Sequence, residues 1–175
     1  TPVDLEGLQG LSPSDFVAEW KWDGIRVQAV SDHGVRRLYS RTGEDISAAF
    51  PDVIDAMDFE GTMDGELLVR RGSEVAPFGD LQKRLNRKTA PQSLLPSHPA
   101  GLRIYDSLID NGEDIRQLGW TDRTIRMKQL ISDLSTDRID ISPELPFDTW
   151  DDLAALRADP PNAVIEGVMI KKRDS

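Results

Sequence analysis

The stretch Glu19-Trp20-Lys21-Trp22-Asp23-Gly24-Ile25-Arg26, EWKWDGIR in one-letter code, lies between two runs that read as strands. Lys21 is followed two residues later by Asp23-Gly24 and five residues later by Arg26, the spacing of a loop that presents a nucleophile. A lysine amine that attacks phosphorus must be presented unprotonated, which needs partial burial, nearby positive charge and an acceptor that orients it. The preceding strand PSDFVAEW supplies burial, Gly24 permits a sharp backbone turn, and Arg26 with a bound metal would supply the charge. In isolation the same string also reads as a surface ion pair of Lys21 with Asp23 at a strand end.

Outward from this loop, residues 16–20, 25–31 and 35–40 read as strands, the last two joined by Asp32-His33-Gly34 as a hairpin turn. Residues 50–57 read as a short helix with Pro51 in its first turn, 62–70 as a strand ended by Gly72-Ser73, and 80–87 as a short helix with a basic face. A Pro, Ser and Thr loop over 89–99 leads to a strand at 102–108, after which Asn111-Gly112 turns the chain. Ile125, Leu130, Ile131 and Leu134 fall near helical spacing over 122–134, with Thr121 as N-cap. A short strand at 138–141, a helix at 149–157 capped by Asp148 and stopped by Pro160-Pro161, and a final strand at 164–171 follow. Strands at the motif positions, helices between them and hairpin links predict an α+β fold with mostly antiparallel sheets and no internal repeat.

Three clusters follow the lysine in order: SRTGE at 40–44 with Phe50-Pro51 behind it, MDGELLV at 63–69, and EGVMIKK at 166–172, with RIYDSL at 103–108 between the last two. In that order they resemble the motif series of covalent nucleotidyltransferases, specifically the adenylation domain of ATP-dependent DNA ligases of bacterial type. The resemblance covers nearly the whole chain. KxDG alone is shared with mRNA-capping enzymes and RNA ligases; SRTGE with Phe50-Pro51, and the form YDSLIDNGEDIR, turn the reading toward DNA. The resemblance implies two mostly antiparallel β-sheets flanked by helices with a nucleotide groove between them, the ATP-grasp-like type of ligase and capping-enzyme catalytic domains.

It also implies roles. Lys21 would attack the α-phosphate of ATP, release pyrophosphate and carry AMP, which passes to the 5′-phosphate of a nick in double-stranded DNA before the 3′-hydroxyl displaces it. Glu19, on the same side of its strand as Lys21, would read the adenine amino group. Arg26 and Arg41 would approach the ribose or the 5′-phosphate of the nick. Tyr105 would stack on adenine, with Met169 or Val168 lining the other side, and Lys171 would extend toward the phosphates. Glu66 would meet the ribose or the metal and Glu166 would hold the metal, Mg²⁺ or Mn²⁺, with Asp64 as a further carboxylate on the strand face of Glu66. Plainer readings stand beside these: a solvated strand glutamate for Glu19, surface pairs for the arginines, core packing for Tyr105, and exposed acids in a chain with 31 Asp and Glu. Trp20 and Trp22 read as core or rim.

With 175 residues and 38% hydrophobic content, one compact domain is expected. The absence of cysteine, of a long apolar run and of a signal-peptide layout fits a cytoplasmic enzyme acting on the nucleoid, with no membrane. His33 in a turn and His98 in a proline loop make no metal site, and without a GxxxxGK[ST] string a P-loop mechanism is excluded. The net charge of −10 weighs against nucleic acid. Metal bound to carboxylates changes the local field, and Arg36, Arg37 and Arg41, like Lys83, Arg84, Arg87 and Lys88, leave room for a local basic path.

In the family, EGVMIKK is followed by a motif with Trp and paired lysines and by a small OB-fold barrel that clamps DNA. Residues 1–175 are therefore expected to be the adenylation core alone, a monomeric fragment lacking those parts and any N-terminal DNA-binding domain, weak in self-adenylation and unable to seal nicks by itself. The competing readings are an RNA ligase or capping nucleotidyltransferase, told apart by GTP preference or RNA sealing, and a non-catalytic nucleotide-binding module.

Overall fold

Nine strands form among the described residues of a computed structural model, which are 3–85 and 89–175: β1 (Phe16–Trp22), β2 (Ile25–Asp32), β3 (Val35–Ser40), β4 (Gly61–Arg71), β5 (Glu74–Val75), β6 (Ala100–Asp110), β7 (Glu113–Asp114), β8 (Ile139–Ile141) and β9 (Ile165–Lys172). Helices lie between them: α1 (Leu5–Leu8), α2 (Pro51–Ala56), α3 (Phe78–Leu85), α4 (Leu94–Ser97), α5 (Trp120–Ser132) and α6 (Trp150–Ala158). The large sheet runs β3-β2-β4-β6-β7, with β5 added to β4 and β8 to β6, and β1 pairs with β9 in a second sheet of two strands. All ladders are antiparallel except β6 with β8. The α+β architecture with two mostly antiparallel sheets is as the sequence predicts.

β4 is buried along nearly its whole length, so both its faces are covered. Met63, Leu67 and Val69 enter the main core with Val53 of α2, the Phe50 and Met57 that flank that helix, and Met127 from α5. Residues 64, 66, 68 and 70 alternate to the other face, where Leu68 joins Val75, Val164 and Trp22 in a small cluster that ties β1 to the large sheet. α2, α3 and α5 thus cover one face of the large sheet, the β1–β9 ribbon stands against the other, and α6 packs on the ribbon through Trp150 against Phe16.

Both turn predictions hold for a local reason. His33 and Gly34 have φ of 49° and 79°, Asn111 and Gly112 47° and 83°; two left-handed residues match the right-handed twist of the strands they join.

Helix starts differ from expectation. α5 begins at Trp120 with Gly119 in the N-cap position, and the Thr121 hydroxyl donates to the Arg173 carbonyl instead of capping. α6 is capped by Thr149, whose side chain accepts from Asp152 N–H while Asp152 accepts from Thr149 N–H; Asp148 precedes this box. The loop over 89–99 contains the turn of α4.

The expected basic face of α3 is also corrected. Arg84 is fully buried, forking onto both oxygens of Asp52 at 2.6 and 2.8 Å and donating to the carbonyls of Ala49 and His98. Lys83 pairs with Asp80, while Arg87, Lys88 and the predicted end of that helix lie outside the described residues. Arg36 and Arg37 are neutralised by Asp58 and Asp45, so no continuous basic path forms from these groups among the described residues. None of the described helices is long and apolar enough to cross a membrane.

Candidate active site

In the β1–β9 ladder Glu19 stands opposite Met169 and Lys21 opposite Gly167, with a register shift after Lys21. Directly opposed residues share a face, so Glu19, Lys21 and Met169 all point from the ribbon toward the large sheet. Facing them on β2, β4 and β6 are Arg26, Asp64, Glu66 and Tyr105. Together they line a groove of about 860 Å³, a size that suits a small-molecule ligand. Arg41 lines its rim from the loop after β3, and Lys171 its floor. Val168 is half-buried on the other face of β9.

Like Val168, Glu166 does not line this groove; it reaches Lys21 instead, and the two half-exposed side chains form an ion pair. Asp64 is buried and its Oδ2 accepts from Arg26 at 2.7 Å, while its Oδ1 has no partner among the described residues. Lys171 does not extend as expected. Its ammonium donates to Glu19 Oε1 at 2.7 Å and to the Tyr105 carbonyl at 2.8 Å, and lies 4.9 Å from the Tyr105 ring centre. It therefore braces the two sheets beneath the groove and holds Glu19 and Tyr105 in place.

Gly24 has a different reason from the one its sequence suggests. Its backbone is not in the left-handed region; a Cβ there would sit 2.6 Å from the Leu67 carbonyl and 2.8 Å from Glu66 Cγ. Glycine lets the loop after Lys21 lie directly against β4. Gly24→Ala is expected to cost about 1–3 kcal/mol by overpacking and to push Lys21 and Glu66 apart; a melting temperature equal to that of the parent chain would refute this.

Electrostatics follow burial. Burial pushes the Glu19 carboxyl up, with the Lys171 ammonium opposing it. The Tyr105 phenol is also pushed up, by burial and then by the Glu66 charge, so it stays neutral with its ring available for stacking. Burial pushes Glu66 up to about 7 from 4.5, against the pull of Lys21 and Arg26.

A raised folded-state pKa favours the protonated acid, so the Glu66 contribution to stability is fully present below pH 4.5 and is lost as pH rises through about 7. Glu66→Gln remains neutral throughout. It is expected to melt near the parent at pH 4 and above it at pH 8, by up to about 3 kcal/mol. Melting curves across this range check it, and a difference independent of pH would contradict it.

The sequence reading missed part of the wall. Trp120, from the first turn of α5, and Arg123 line the groove, and Arg123 forks onto Asp106 at 2.8 and 3.0 Å, locking α5 to β6 beside Tyr105. Trp22, read as core or rim, lies under Arg103, whose guanidinium carbon is 4.5 Å from the ring centre. At the β2–β3 turn, Asp32, His33 and Glu60 bring three potential ligand atoms within 4.8 Å of one another, a juxtaposition not anticipated for His33.

An α+β domain whose groove carries a lysine and a buried glutamate on one sheet, and carboxylates with an aromatic ring on the other, is of the nucleotide-site class. The chain belongs to the family described as ATP dependent DNA ligase domain, whose family model matches residues 5–175. It is 32% identical to a DNA ligase of Haloferax volcanii over 187 aligned positions, covering 99% of this chain and 32% of that protein. Among solved structures it is similar to the ligase domain of M. tuberculosis LigD, with a TM-score of 0.72, 29% identity and coverage of 95% of this chain and 51% of that one. A mycobacterial DNA ligase D complexed with ATP and MES gives a TM-score of 0.71 at 29% identity, with the same coverage. The chain spans about a third of the length of that curated relative.

Proposed function

We propose that this domain is the adenylation core of an ATP-dependent DNA ligase. The observation that carries the reading is the placement of Lys21 on the ribbon side of a groove whose other side presents Arg26, Glu66 and Tyr105. The Lys21 amine attacks the α-phosphorus of ATP; an N–P bond forms, the bond to the bridging oxygen breaks, and pyrophosphate leaves with the electron pair. The AMP then passes to the 5′-phosphate of a DNA nick, and the 3′-hydroxyl displaces it. Tyr105 offers a neutral stacking face, Met169 the opposing apolar wall, and Glu19, held by Lys171, an acceptor for the adenine amino group. Arg26 and Arg41 stand toward the ribose and the nick phosphate.

Glu66 and Glu166 are the donors for a divalent cation. Oxygen ligands suit Mg²⁺ or Mn²⁺, and Mg²⁺ is usually held by one or two carboxylates completed by water and phosphate oxygens. Asp64 supports this less, because Arg26 occupies it and no cluster of three carboxylates with Glu66 and Glu166 forms among the described residues. When bound, the cation offsets charge on the phosphates. Glu166, paired with Lys21, orients the amine and would be the carboxylate nearest the nucleophile in holding such a cation.

This core acts within a longer, monomeric enzyme in the cytoplasm, in which an OB-fold barrel completes DNA binding and sealing; the length of the Haloferax volcanii relative, of which this chain covers 32%, supports only the greater length. Incubation with ATP and Mg²⁺, followed by intact-mass measurement, tests the first step. An added AMP from ATP, and no added GMP from GTP, is expected, in low yield on this chain. GMP addition would select the capping class, and absence of any adduct here and in a form extended to the length of the relatives would leave a binding module.

A further inference from the structure

Beyond the groove, at the C-terminal end of β4, a second cavity of about 350 Å³ is lined by Arg70, Arg71 and Arg138, together with Gly101 and Asp137. It shares no lining residue with the nucleotide groove. Arg70 lies four residues beyond Glu66 on the same alternating face, roughly 13 Å along the strand.

Each arginine here shares its carboxylate with another cation. Arg70 Nη1 lies 3.0 Å from Asp140, which Arg103 also holds at 2.8 Å. Arg138 Nη1 is 3.4 Å from Asp52, already forked by Arg84. Arg71 Nη2 is 3.1 Å from Asp80, which Lys83 also takes at 2.8 Å. Three carboxylates thus serve six cations, in a chain whose net charge is −10. Among the described residues, Arg70 Nε and Nη1 are buried without a hydrogen-bond acceptor, so the contact with Asp140 is one of charge without aligned geometry. Gly101 makes room for this arginine, since a Cβ there would sit 2.9 Å from Arg70 Cδ.

Arg71 and Arg138 are the accessible members of the set, with side chains 49% and 37% exposed, while the mostly buried Arg70 adds positive charge behind them; guanidinium forks match the oxygens of phosphate. The geometry points to a phosphate-binding site formed by Arg70, Arg71 and Arg138. The phosphate group is either a backbone phosphate of nucleic acid or free phosphate or pyrophosphate. The nucleic-acid source rests on the ligase reading; the site itself does not.

The test uses the 175-residue chain and its Arg71→Gln/Arg138→Gln variant. Inorganic phosphate and pyrophosphate are titrated by calorimetry, and a nicked duplex by fluorescence anisotropy across a salt series. Binding in at least one arm is expected to weaken about tenfold or more in the variant. If DNA is the source, the slope of log affinity against log salt also falls by about 1–2; if free phosphate is, the DNA arm is unchanged. No binding by the parent in any arm, or binding unchanged in all of them, overturns the proposal. Arg71→Lys/Arg138→Lys keeps the charges without the forks and is expected to fall between parent and Gln variant, which separates phosphate recognition from a folding defect. ATP-dependent adduct formation, measured on the same proteins, is expected to be unchanged, so failure of this site and failure of the ligase reading are seen separately.

Discussion

Lys21→Ala is expected to form no AMP adduct, and Lys21→Arg none either, with the rate down by at least about 10³-fold in both. The arginine variant is the more informative. It keeps a cation next to Glu166 and so preserves the ion pair that spans β1 and β9, but a guanidinium stays protonated and is not a nucleophile. ATP affinity should remain within about tenfold, because the base contacts proposed for Tyr105, Met169 and Glu19 are untouched and only ground-state charge is altered. Transfer of label from the α-phosphate, measured beside ATP binding by calorimetry, checks both parts. Adduct surviving in Lys21→Arg would place the nucleophile elsewhere, and Lys171, braced below the groove, would be the next lysine to change.

Asp52→Ala carries the largest expected loss of stability. Asp52 is the fork partner of the fully buried Arg84, accepts the Ala100 N–H at 3.1 Å and is approached by Arg138. One carboxylate on α2 thus ties α3 and the start of β6 together. Its removal leaves the Arg84 guanidinium buried over Phe50, at 4.8 Å from the ring centre, without a counter-charge, and breaking a buried pair from one side costs about 3–5 kcal/mol. For a chain of this size that is a fall in Tm of roughly 10 °C. Asp52→Asn, which can still accept hydrogen bonds, should fall less. Thermal and urea melts check this, and a loss below about 1 kcal/mol would mean that water relieves the stranded arginine.

The strands, both two-residue turns and the position of the lysine loop were legible because each depends on residues adjacent in sequence. Alternation over 25–31 and 62–70 marks strands, and Asn111-Gly112 can hardly be anything but a turn. Helix caps were misjudged by one or two residues, since Thr121 and Asp148 have the right chemistry but Gly119 and Thr149 have the right backbone position. The groove's residues were legible mainly as an ordered set of motifs resembling a known family. Trp120 and Arg123 carried no such signal, and only the docking of α5 on β6 brings them beside Tyr105.

By itself, then, the sequence determined the strand pattern and the α+β class, because periodicity and turn chemistry are local properties of the chain, and it marked the groove residues only through their motif resemblance. Only the tertiary structure decided which charge meets which. Lys21 finds Glu166 across 145 residues, Lys171 finds Glu19 across 152, and Arg84 finds Asp52 across 32. With 31 acids and 21 lysines and arginines to combine, composition permits many pairings. Burial selects among them, since a charge removed from water is tolerated only where the fold places its partner.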